Sequence, residues 1–562
     1  MTTTTPRRLL LVALLAAGLA GCEPAPPPPG PIYGAKPLGG TSYPVPTGAR
    51  WVSSSGTNGA AGTSSAPWRT LSYAIANTAN GGTIVLRAGT YREGNLEGPS
   101  GKRLTIQSAP GEAVWAAGSD VMTGWTSSEG DWFHNGFTPS FSAGDLNPTL
   151  VNSTHPLAGD PDMAFIDGRQ LTQVGSRAAV VPGTFFVDDP NNRLWIGDNP
   201  AGRVVEAATR DEALTIKGAG TVVRGIGFHH YATHISRLGA VKARANSVRF
   251  ENVVVADNAA AGLSVMAADA VIRSSSATGN GQLGIHGEGA NRLLVEGTLL
   301  RGNNRERFSA IASSGGLKAT NSDNVVLRRN LADGNFAHGL WLDLSSDSGT
   351  IVRNVARNNT AAGIIIEMAT SEIVASNVSV YNEAGIIISE TSAADVYNNV
   401  TIGNNRPIHV QDGFREPQPV DIAVRNNILS SPAAGSSRPL FIADDVNQKR
   451  SATTMRVTTD RNRYFRRSTT TTPYVMAWGN YPNGKLVMRT LTEVQTKTGQ
   501  ERTSAITENT TRNPYVEDEG TSKFNPPPGS SLNTTGVPLP SRVAAALGVS
   551  TTTKVPIGIL PG

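Results

Sequence analysis

The chain of 562 residues carries 49 basic and 44 acidic side chains, which leaves a formal net charge of only +5 at pH 7. The sequence shows no nucleic-acid-binding module and no dense basic stripe, so DNA and RNA are excluded as expected partners. Cys22 is the only cysteine, and a single thiol cannot form a disulfide within the chain.

The first 21 residues predict a signal peptide for export. Arg7 and Arg8 form a basic start, and the apolar run that follows to Leu19 is too short to span a bilayer. Without these two arginines the net charge falls from +5 to +3. This weakly basic balance is compatible with an acidic polysaccharide as a partner but does not identify one.

Residues 19–22, Leu-Ala-Gly-Cys, resemble a bacterial lipobox. The resemblance implies cleavage before Cys22, lipid attachment to Cys22, and a membrane-anchored lipoprotein of the cell envelope, on the outer membrane or the cell surface. The alternative is an ordinary signal peptide that happens to end at a cysteine. Residues 22–40 are rich in proline and predict a stiff tether between the anchor and the folded part.

Residues 41–115 predict an N-terminal cap and the first coils of a repeat structure. A helix is expected over residues 71–79 and a strand over residues 82–88. With Pro-Trp at residues 67–68 and Gly-Thr-Tyr at residues 89–91, the arrangement resembles the capping element at the front of many secreted β-helix proteins. A solenoid needs such a cap because its first coil would otherwise expose the core.

Residues 116–212 predict a β-rich insertion, because Asp-Gly and Asp-Pro turn signals there separate short strands without the spacing of the later repeats. We expect this insertion to pack on the side of the solenoid, near one edge. At the other end, residues 467–562 combine Thr runs, Pro clusters and one helical patch near residues 491–498. They predict a C-terminal segment that wraps the last coil.

Residues 213–466 contain a repeat of 22 to 24 residues, in which an Asn recurs with steps of 22, 23, 32, 23, 24 and 22. The recurring positions are Asn258, Asn280, Asn303, Asn335, Asn358, Asn382 and Asn404. A near-constant step indicates a solenoid, in which residues at one offset of successive units become neighbours. We expect the recurrent Asn at a turn, where stacked amides form a ladder along the axis.

The repeat units are β rather than α, because their apolar runs are short and rich in Val, Ile and Leu. At about 3.3 Å per residue, one unit forms a coil with a perimeter of roughly 75 Å, which suits three short strands. The pattern resembles the right-handed parallel β-helix proteins, a class that includes pectate lyases and other polysaccharide-acting enzymes. The resemblance implies an all-β, right-handed parallel β-helix solenoid with an N-terminal helical cap and a β-rich insertion.

A glycine near the start of one strand in each unit sets the register of the expected columns. The first and third residues after it are mostly aliphatic and point inward, so the second and fourth point outward. The second positions are Ser264, His286, Lys318, Trp341, Ile365 and Ile387. The fourth positions are Met266, Glu288, Thr320, Asp343, Glu367 and Ser389. Each set should form one row along the outside of the solenoid.

Polar residues of these rows predict a polysaccharide-binding face. Trp341 is expected to be exposed, so a sugar ring could stack on it, beside His286 and Glu288. The irregular step of 32 residues adds a loop near this face, which brings Arg305 and Arg307. Insertions on one face of a repeat often mark the binding face, so we expect all five residues to contact the ligand.

Residues 315–318, Gly-Gly-Leu-Lys, resemble the Gly-x-Lys segment that bears the base in one family of β-helix pectate lyases. The resemblance implies β-elimination on a uronic-acid polymer with Lys318 as the base, which needs a pKa below about 10.4. Either arginine of the added loop, or a calcium ion held by Asp343 and Glu367, would bind the sugar carboxylate. The Asp-rich calcium cluster of that family is not visible in this sequence.

Two other functions stay open from the sequence. Asp343 and Glu367 could act as the paired carboxylates of a glycoside hydrolase, since neighbouring coils would bring them close together. The chain could also be a non-catalytic glycan-binding or envelope protein, because a fold does not fix a function. In each case we expect a monomer with a polysaccharide as its partner.

Overall fold

A computed structural model describes residues 33–141, 149–235, 239–413, 415–550 and 555–560. The expected signal peptide, the lipid-bearing Cys22 and the tether up to residue 32 lie outside the described residues. Among the residues that are described, no helix is long and apolar enough to cross a membrane.

Three sheets of 13 strands each form the walls of a parallel β-helix, and each complete coil contributes one strand to every sheet. Sheet I holds the longest strands and carries the rows identified above. Its strands are Leu96–Gly98, Leu214–Ile216, Gly239–Ala243, Ala261–Val265, Leu283–Glu288, Gly315–Thr320, His338–Asp343, Ala362–Glu367, Ala384–Ser389, Arg406–Asp412, Phe441–Asp445, Met476–Gly479 and Lys485–Met488. All neighbours pair in parallel except the last two strands.

Sheets II and III are built from shorter strands, most of three residues. Sheet II comprises Arg50–Val52, Thr83–Leu86, Thr105–Ser108, Val222–Arg224, Arg249–Glu251, Val271–Arg273, Leu294–Glu296, Val326–Arg328, Thr350–Val352, Ile373–Ala375, Asp395–Tyr397, Ala423–Arg425 and Thr458–Asp460. Sheet III comprises Gly89–Tyr91, Val114–Ala117, Ile226–His229, Val254–Ala256, Ser276–Thr278, Leu299–Arg301, Leu331–Asp333, Val355–Arg357, Val378–Val380, Val400–Ile402, Ile428–Ser430, Arg463–Arg466 and Ala505–Glu508. The three sheets together confirm the all-β solenoid expected from the repeat.

Aliphatic columns inside the three sheets form one continuous core along the axis. Leu263, Ile285, Leu317 and Leu340 pair in register on neighbouring strands of sheet I and point into this core, as the glycine register predicts. Because strand side chains alternate between faces, the residues between them point away from the core. The register of the rows is therefore confirmed.

Two ladders of buried asparagines line the turns. The ladder between sheets III and I runs through Asn258, Asn280, Asn303, Asn335, Asn359, Asn382 and Asn404, each amide donating to the next. A second ladder, between sheets II and III, runs through Asn330, Asn354, Asn377, Asn399, Asn427 and Asn462, and its last amide donates to Glu501. This second ladder was not predicted from the sequence.

The assignment of Asn358 to the first ladder was wrong, since Asn359 occupies that place. The residue before each ladder position has a left-handed backbone, which suits Gly, Asn or Asp. Asn358, with a φ of 56°, holds this turn position in its coil, as Gly334 does with a φ of 63° in the coil before. Two adjacent asparagines share one turn, and only the second faces inward.

The front of the solenoid is capped by the helix α1 (Leu71–Asn77), which ends two residues earlier than predicted. The side chain of Thr70 accepts the backbone N–H of Tyr73 at 3.2 Å and caps this helix. The carboxylate of Glu93 accepts the N–H groups of residues 71 and 72, a favourable place for a negative charge. The cap buries Leu71, as the apolar pattern predicts.

Two small sheets interrupt the solenoid between residues 119 and 208. The first has the strand order Arg169–Gln170, Ala164–Ile166, Val205–Ala208, Ser119–Met122. The second has the order Thr172–Gln173, Thr184–Asp188, Arg193–Ile196, Asp131–Asn135, Trp125–Ser128. Met163 and Phe165 pack against Ala232 and Ala259 of the solenoid, so the insertion lies against its side.

Strands of sheets I and III continue beyond residue 466, as far as Glu508, so the solenoid is longer than the repeat pattern indicates. Helix α2 (Leu491–Thr498) spans the predicted helical patch, and helix α3 (Ser541–Leu547) follows it along the chain. Val543 and Leu547 of α3 pack against sheet II. The last part of the chain therefore covers the side of the solenoid.

Candidate functional site

The outer row of sheet I brings His286, Lys318 and Trp341 onto three consecutive strands, directly opposite one another. The next outward row includes Glu288 and Thr320, which are also paired in register. These rows were predicted from the sequence, and their alignment is confirmed by the strand pairing.

Lys318 is a buried lysine that faces away from the hydrophobic core. The residue is only 5% exposed. The Nζ atom lies 2.7 Å from Oδ2 of Asp343 and 3.7 Å from the centroid of the Trp341 ring. Burial lowers the pKa of Lys318 because the ammonium loses its hydration, whereas the charge of Asp343 opposes this effect and that of Arg415 adds to it.

The expectation that Trp341 is exposed was wrong, because only 2% of this residue is accessible. The indole belongs to one apolar cluster with Ile365 and Ile387 of the following strands. The ring of His338 lies 4.6 Å from the Trp341 ring, measured between centroids. A sugar ring therefore cannot stack on this indole in the structure as it stands.

The loop of residues 305–314, which we call the strap, lies against Lys318 and His338. Carbonyl oxygens of the strap accept hydrogen bonds from Lys318, His338 and Gln282 of sheet I or its immediate flank. The strap is itself held by Phe308, which is buried against Ala158 of the insertion and neighbouring apolar residues. The 32-residue step in the repeat therefore marks the element that covers the candidate site.

The two arginines of the strap do not reach Lys318. Arg305 pairs with Asp257 at 3.3 Å, and the guanidinium of Arg307 lies 3.5 Å from the centroid of the Phe336 ring. Asp257 and Phe336 both lie at the turn between sheets III and I, beside the outer row rather than on it. The expectation that these arginines bind the ligand next to Lys318 therefore finds no support in their contacts.

Arg415, rather than either arginine of the strap, supplies positive charge that acts on Lys318. Its guanidinium pairs with Glu367 and lies 3.5 Å from Glu390. It follows the sheet I strand Arg406–Asp412, inside the long step of 28 residues between Asn399 and Asn427 of the second ladder. That irregular step is the sequence signal that would have pointed to this loop.

The carboxylates of the fourth row each have a partner. Glu288 accepts hydrogen bonds from the side chains of Thr320 and Asn321. Asp343 is paired with Lys318, and Glu367 with Arg415. These contacts account for every carboxylate proposed from the sequence.

A calcium ion between Asp343 and Glu367 does not fit these contacts. A cation already neutralises each carboxylate, and calcium requires several oxygen ligands in one place. Within the described part of the chain, no group of three or more His, Cys, Asp or Glu side chains is arranged to hold a metal ion.

His286 is a buried neutral side chain beside Lys318. Burial lowers its pKa to about 4, and the positive charge of Lys318 acts in the same direction while Glu288 opposes it. Its Nδ1 atom has no hydrogen-bond partner among the described residues. The same is true of Nε1 of Trp341. The residues on either side of Lys318 in this row therefore each carry a buried polar atom without a partner in the described part of the chain.

Comparisons with known proteins agree with this architecture. The family model described as "Right handed beta helix region" matches residues 239–405, which include Lys318, Trp341 and Asp343. The fold is a right-handed parallel β-helix. No curated protein matches the sequence.

Several solved structures resemble this right-handed β-helix. The structure of XylC in complex with xylose shares 15% identity, with 83% of this chain and 87% of that chain covered and a TM-score of 0.59. A structure titled glycoside hydrolase shares 13%, with 71% and 95% covered and a TM-score of 0.40. The pectate lyase Pel9A shares 12%, with 92% and 97% covered and a TM-score of 0.39. At these identities the likeness concerns the fold alone.

Proposed function

We propose that the chain acts on polysaccharide, as a lyase that cleaves a uronic-acid polymer by β-elimination with Lys318 as the base. The observation that supports this proposal is the environment of Lys318, a buried amine of lowered pKa that lies beside Asp343 and over the face of Trp341. Lysines become bases when burial reduces the stability of the ammonium form. A sugar ligand also agrees with the xylose bound in the XylC complex.

Each group has a defined role in the proposed reaction. The neutral amine of Lys318 takes the proton from the carbon next to the sugar carboxylate. The electron pair left behind forms a carbon–carbon double bond, and the bond between the next carbon and the bridging oxygen breaks. That oxygen takes a proton from water. Arg415 supplies the positive charge that the sugar carboxylate requires, in exchange for its pairing with Glu367.

The glycoside hydrolase alternative is less well supported by the contacts. A hydrolase requires one carboxyl group to protonate the leaving oxygen and a second to assist on the opposite face. Asp343 and Glu367 are each bound to a cation, so neither is free for the first role. A non-catalytic glycan-binding function is supported by the strap, which covers Lys318 in this structure.

The decisive experiment measures the ultraviolet absorbance of the unsaturated product on pectate, alginate and glycosaminoglycans. We expect absorbance to rise on one acidic polymer and Lys318→Ala to reduce the rate by about 10²–10⁴-fold. The matched control is Lys242→Ala, because Lys242 lies in the same row of sheet I and is also buried against a carboxylate, at 2.6 Å from Glu212. Lys242→Ala should retain activity.

Three other outcomes would each change the proposal. A rise in absorbance that survives Lys318→Ala would keep the lyase and remove Lys318 as its base. New reducing ends without the absorbance would favour the hydrolase. Binding of a polymer without either product would favour the non-catalytic function.

We further propose that the chain is exported and anchored to the cell envelope through lipid on Cys22. The lipobox-like sequence at residues 19–22 supports this proposal, together with the proline-rich stretch that follows it. Labelled fatty acid should be incorporated into the full-length chain and not into Cys22→Ser, and the variant should leave the membrane fraction. Equal incorporation into both chains would contradict the proposal.

A further inference from the structure

Three carbonyl oxygens of the strap are aimed at sheet I. The carbonyl of Ala310 lies 3.1 Å from Nε2 of His338, and that of Ser313 lies 2.6 Å from Nε2 of Gln282. The carbonyl of Ala312 accepts from Nζ of Lys318. The backbone of the strap therefore takes up hydrogen-bond donors from three neighbouring coils.

The protonation of His338 follows from its two contacts. Its Nδ1 atom lies 3.2 Å from the backbone N–H of Ala362, so Nδ1 accepts that hydrogen bond. Burial also lowers the pKa of His338 to about 4, which keeps the ring neutral at physiological pH. The single proton of the neutral ring is therefore on Nε2, which donates to Ala310.

The three side chains that contact the strap carbonyls are consequently all donors. The Trp341 ring lies against Lys318 and His338, and its Nε1 is one more donor, without a partner among the described residues. Donors gathered in this way match a ligand rich in acceptor oxygens, such as a carboxylated sugar. The strap offers only carbonyl oxygens at these positions, which are acceptors of the same kind.

We propose that the strap is a displaceable occupant of the ligand site, and that its carbonyl oxygens at residues 310, 312 and 313 stand where acceptor oxygens of an acidic sugar bind. This inference rests on the proposed function. The strap moves aside when the sugar enters, and it returns when the product leaves. Lys318 is thereby kept from solvent between turnovers.

The way in which the strap is held supports this displacement. Phe308 is its apolar anchor, packed against Ala158 and Ile235, and Ser309 donates its N–H to the carbonyl of Leu150 at 2.8 Å. By contrast, Ile311 at the tip is 82% exposed. The tip is thus held to sheet I by polar contacts, which an acceptor-rich ligand can replace one for one.

The experiment loosens the anchor and measures access to Lys318. Phe308→Ala removes the packing of the strap against the insertion, and we expect acetylation of Lys318 by acetic anhydride to accelerate by at least about tenfold. Amide hydrogen exchange of residues 309–314 should accelerate as well. Ile311→Ala is the matched control, because it changes an exposed side chain of the same strap, and it should alter neither rate.

A second variant keeps the test decisive if Phe308→Ala fails to fold. Ser309→Pro removes the N–H that donates to Leu150 without opening an apolar cluster. It should accelerate the same two rates. Faster exchange of the strap with an unchanged rate of Lys318 acetylation, in either variant, would overturn the proposal that the strap shields this site.

A second test measures hydrogen exchange of the protein without substitutions in the presence of oligosaccharides. Pectate and alginate oligomers should accelerate hydrogen exchange in residues 309–314, whereas neutral xylan oligomers should not. An acidic oligomer that binds and leaves this exchange unchanged, or slows it, would overturn the displacement. If no oligomer binds, the proposed function fails, and the acetylation rates still decide whether the strap covers Lys318.

Discussion

Nζ of Lys318 lies 2.7 Å from Oδ2 of Asp343 on the next coil, and the two residues are only 5% and 3% exposed. A buried ion pair of this kind is costly to desolvate, and it is tolerated because each charge satisfies the other. Their contact links the stability of two coils to the chemistry proposed for the site. Variants of either residue therefore require a measurement of stability as well as a measurement of activity.

Removing one member of this pair should destabilise the fold more than removing both. Asp343→Ala leaves the Lys318 ammonium buried without a counter-charge, and we expect a loss of about 3–5 kcal/mol in the free energy of unfolding. The double variant Lys318→Met with Asp343→Leu should recover most of that loss. Urea unfolding followed by circular dichroism measures both, and losses that simply add would contradict the coupling.

Arg415 should influence the pH dependence of the activity that relies on Lys318. Its positive charge helps to lower the pKa of Lys318, although burial is the larger cause. Arg415→Gln removes that charge, which raises the pKa of the lysine and moves the alkaline rise of kcat/KM to higher pH. Arg450→Gln is the control, since Arg450 pairs with Asp412 further along sheet I. A profile that does not move in Arg415→Gln would exclude this influence.

Glu372 should make the fold less stable as the pH rises. It is fully buried, and burial raises its pKa to about 8 from the ordinary value of 4.5. The native state therefore holds a proton that the unfolded chain releases, so stability is complete below about pH 4.5 and declines up to about pH 8. Glu372→Gln should remove this decline, on the order of a few kcal/mol, in unfolding measured between pH 5 and pH 9. An unchanged slope would exclude Glu372 as its source.

Two adjacent asparagines should differ strongly in their importance. Asn359→Ala breaks the first ladder and leaves the buried N–H of Asn335 without its acceptor, which should cost about 2–4 kcal/mol. Asn358→Gly should cost less than about 1 kcal/mol, because its side chain lies at the turn and glycine adopts its left-handed backbone readily. Thermal unfolding of the two variants checks this difference. Equal losses of stability in the two variants would mean that the ladder hydrogen bonds of Asn359 add no stability beyond that of the turn.

Removal of divalent metal should leave the proposed activity intact. Asp343 and Glu367 are neutralised by Lys318 and Arg415, so calcium has no free pair of carboxylates there. We expect the rate of product formation to be the same after treatment with EDTA and after calcium is restored. A rate that falls with EDTA and returns with calcium would show that these ion pairs open to bind metal.

The sequence predicted the solenoid and its register well because both depend on local repetition. The glycine before each strand of sheet I and the alternation of aliphatic residues placed His286, Lys318 and Trp341 on one row, and the strand pairing confirms it. The choice of Asn358 over Asn359 failed because both fit the step within one residue. Only the backbone conformation of the turn separates them.

The surroundings of the row could not be predicted in the same way. The strap bonds to Lys318 and His338, which both lie against the Trp341 ring, and its Phe308 packs on Ala158 of the distant insertion. Arg415 meets Glu367 across 48 residues, from a loop outside the regular repeat. A repeat fixes which residues share a column, whereas irregular loops decide what covers that column.

The second asparagine ladder has a direction, because the side-chain amide nitrogen in each coil donates to the side-chain amide oxygen of the asparagine in the next coil. Such a chain can be extended by any residue that both donates and accepts. Glu501 ends it: its carboxylate accepts from Asn462 and from the hydroxyl of Tyr464. It has no amide nitrogen to pass on. Coils inserted upstream would keep this donor-to-acceptor chain, whereas the carboxylate of Glu501 offers no amide donor to a coil beyond it, so the ladder ends there.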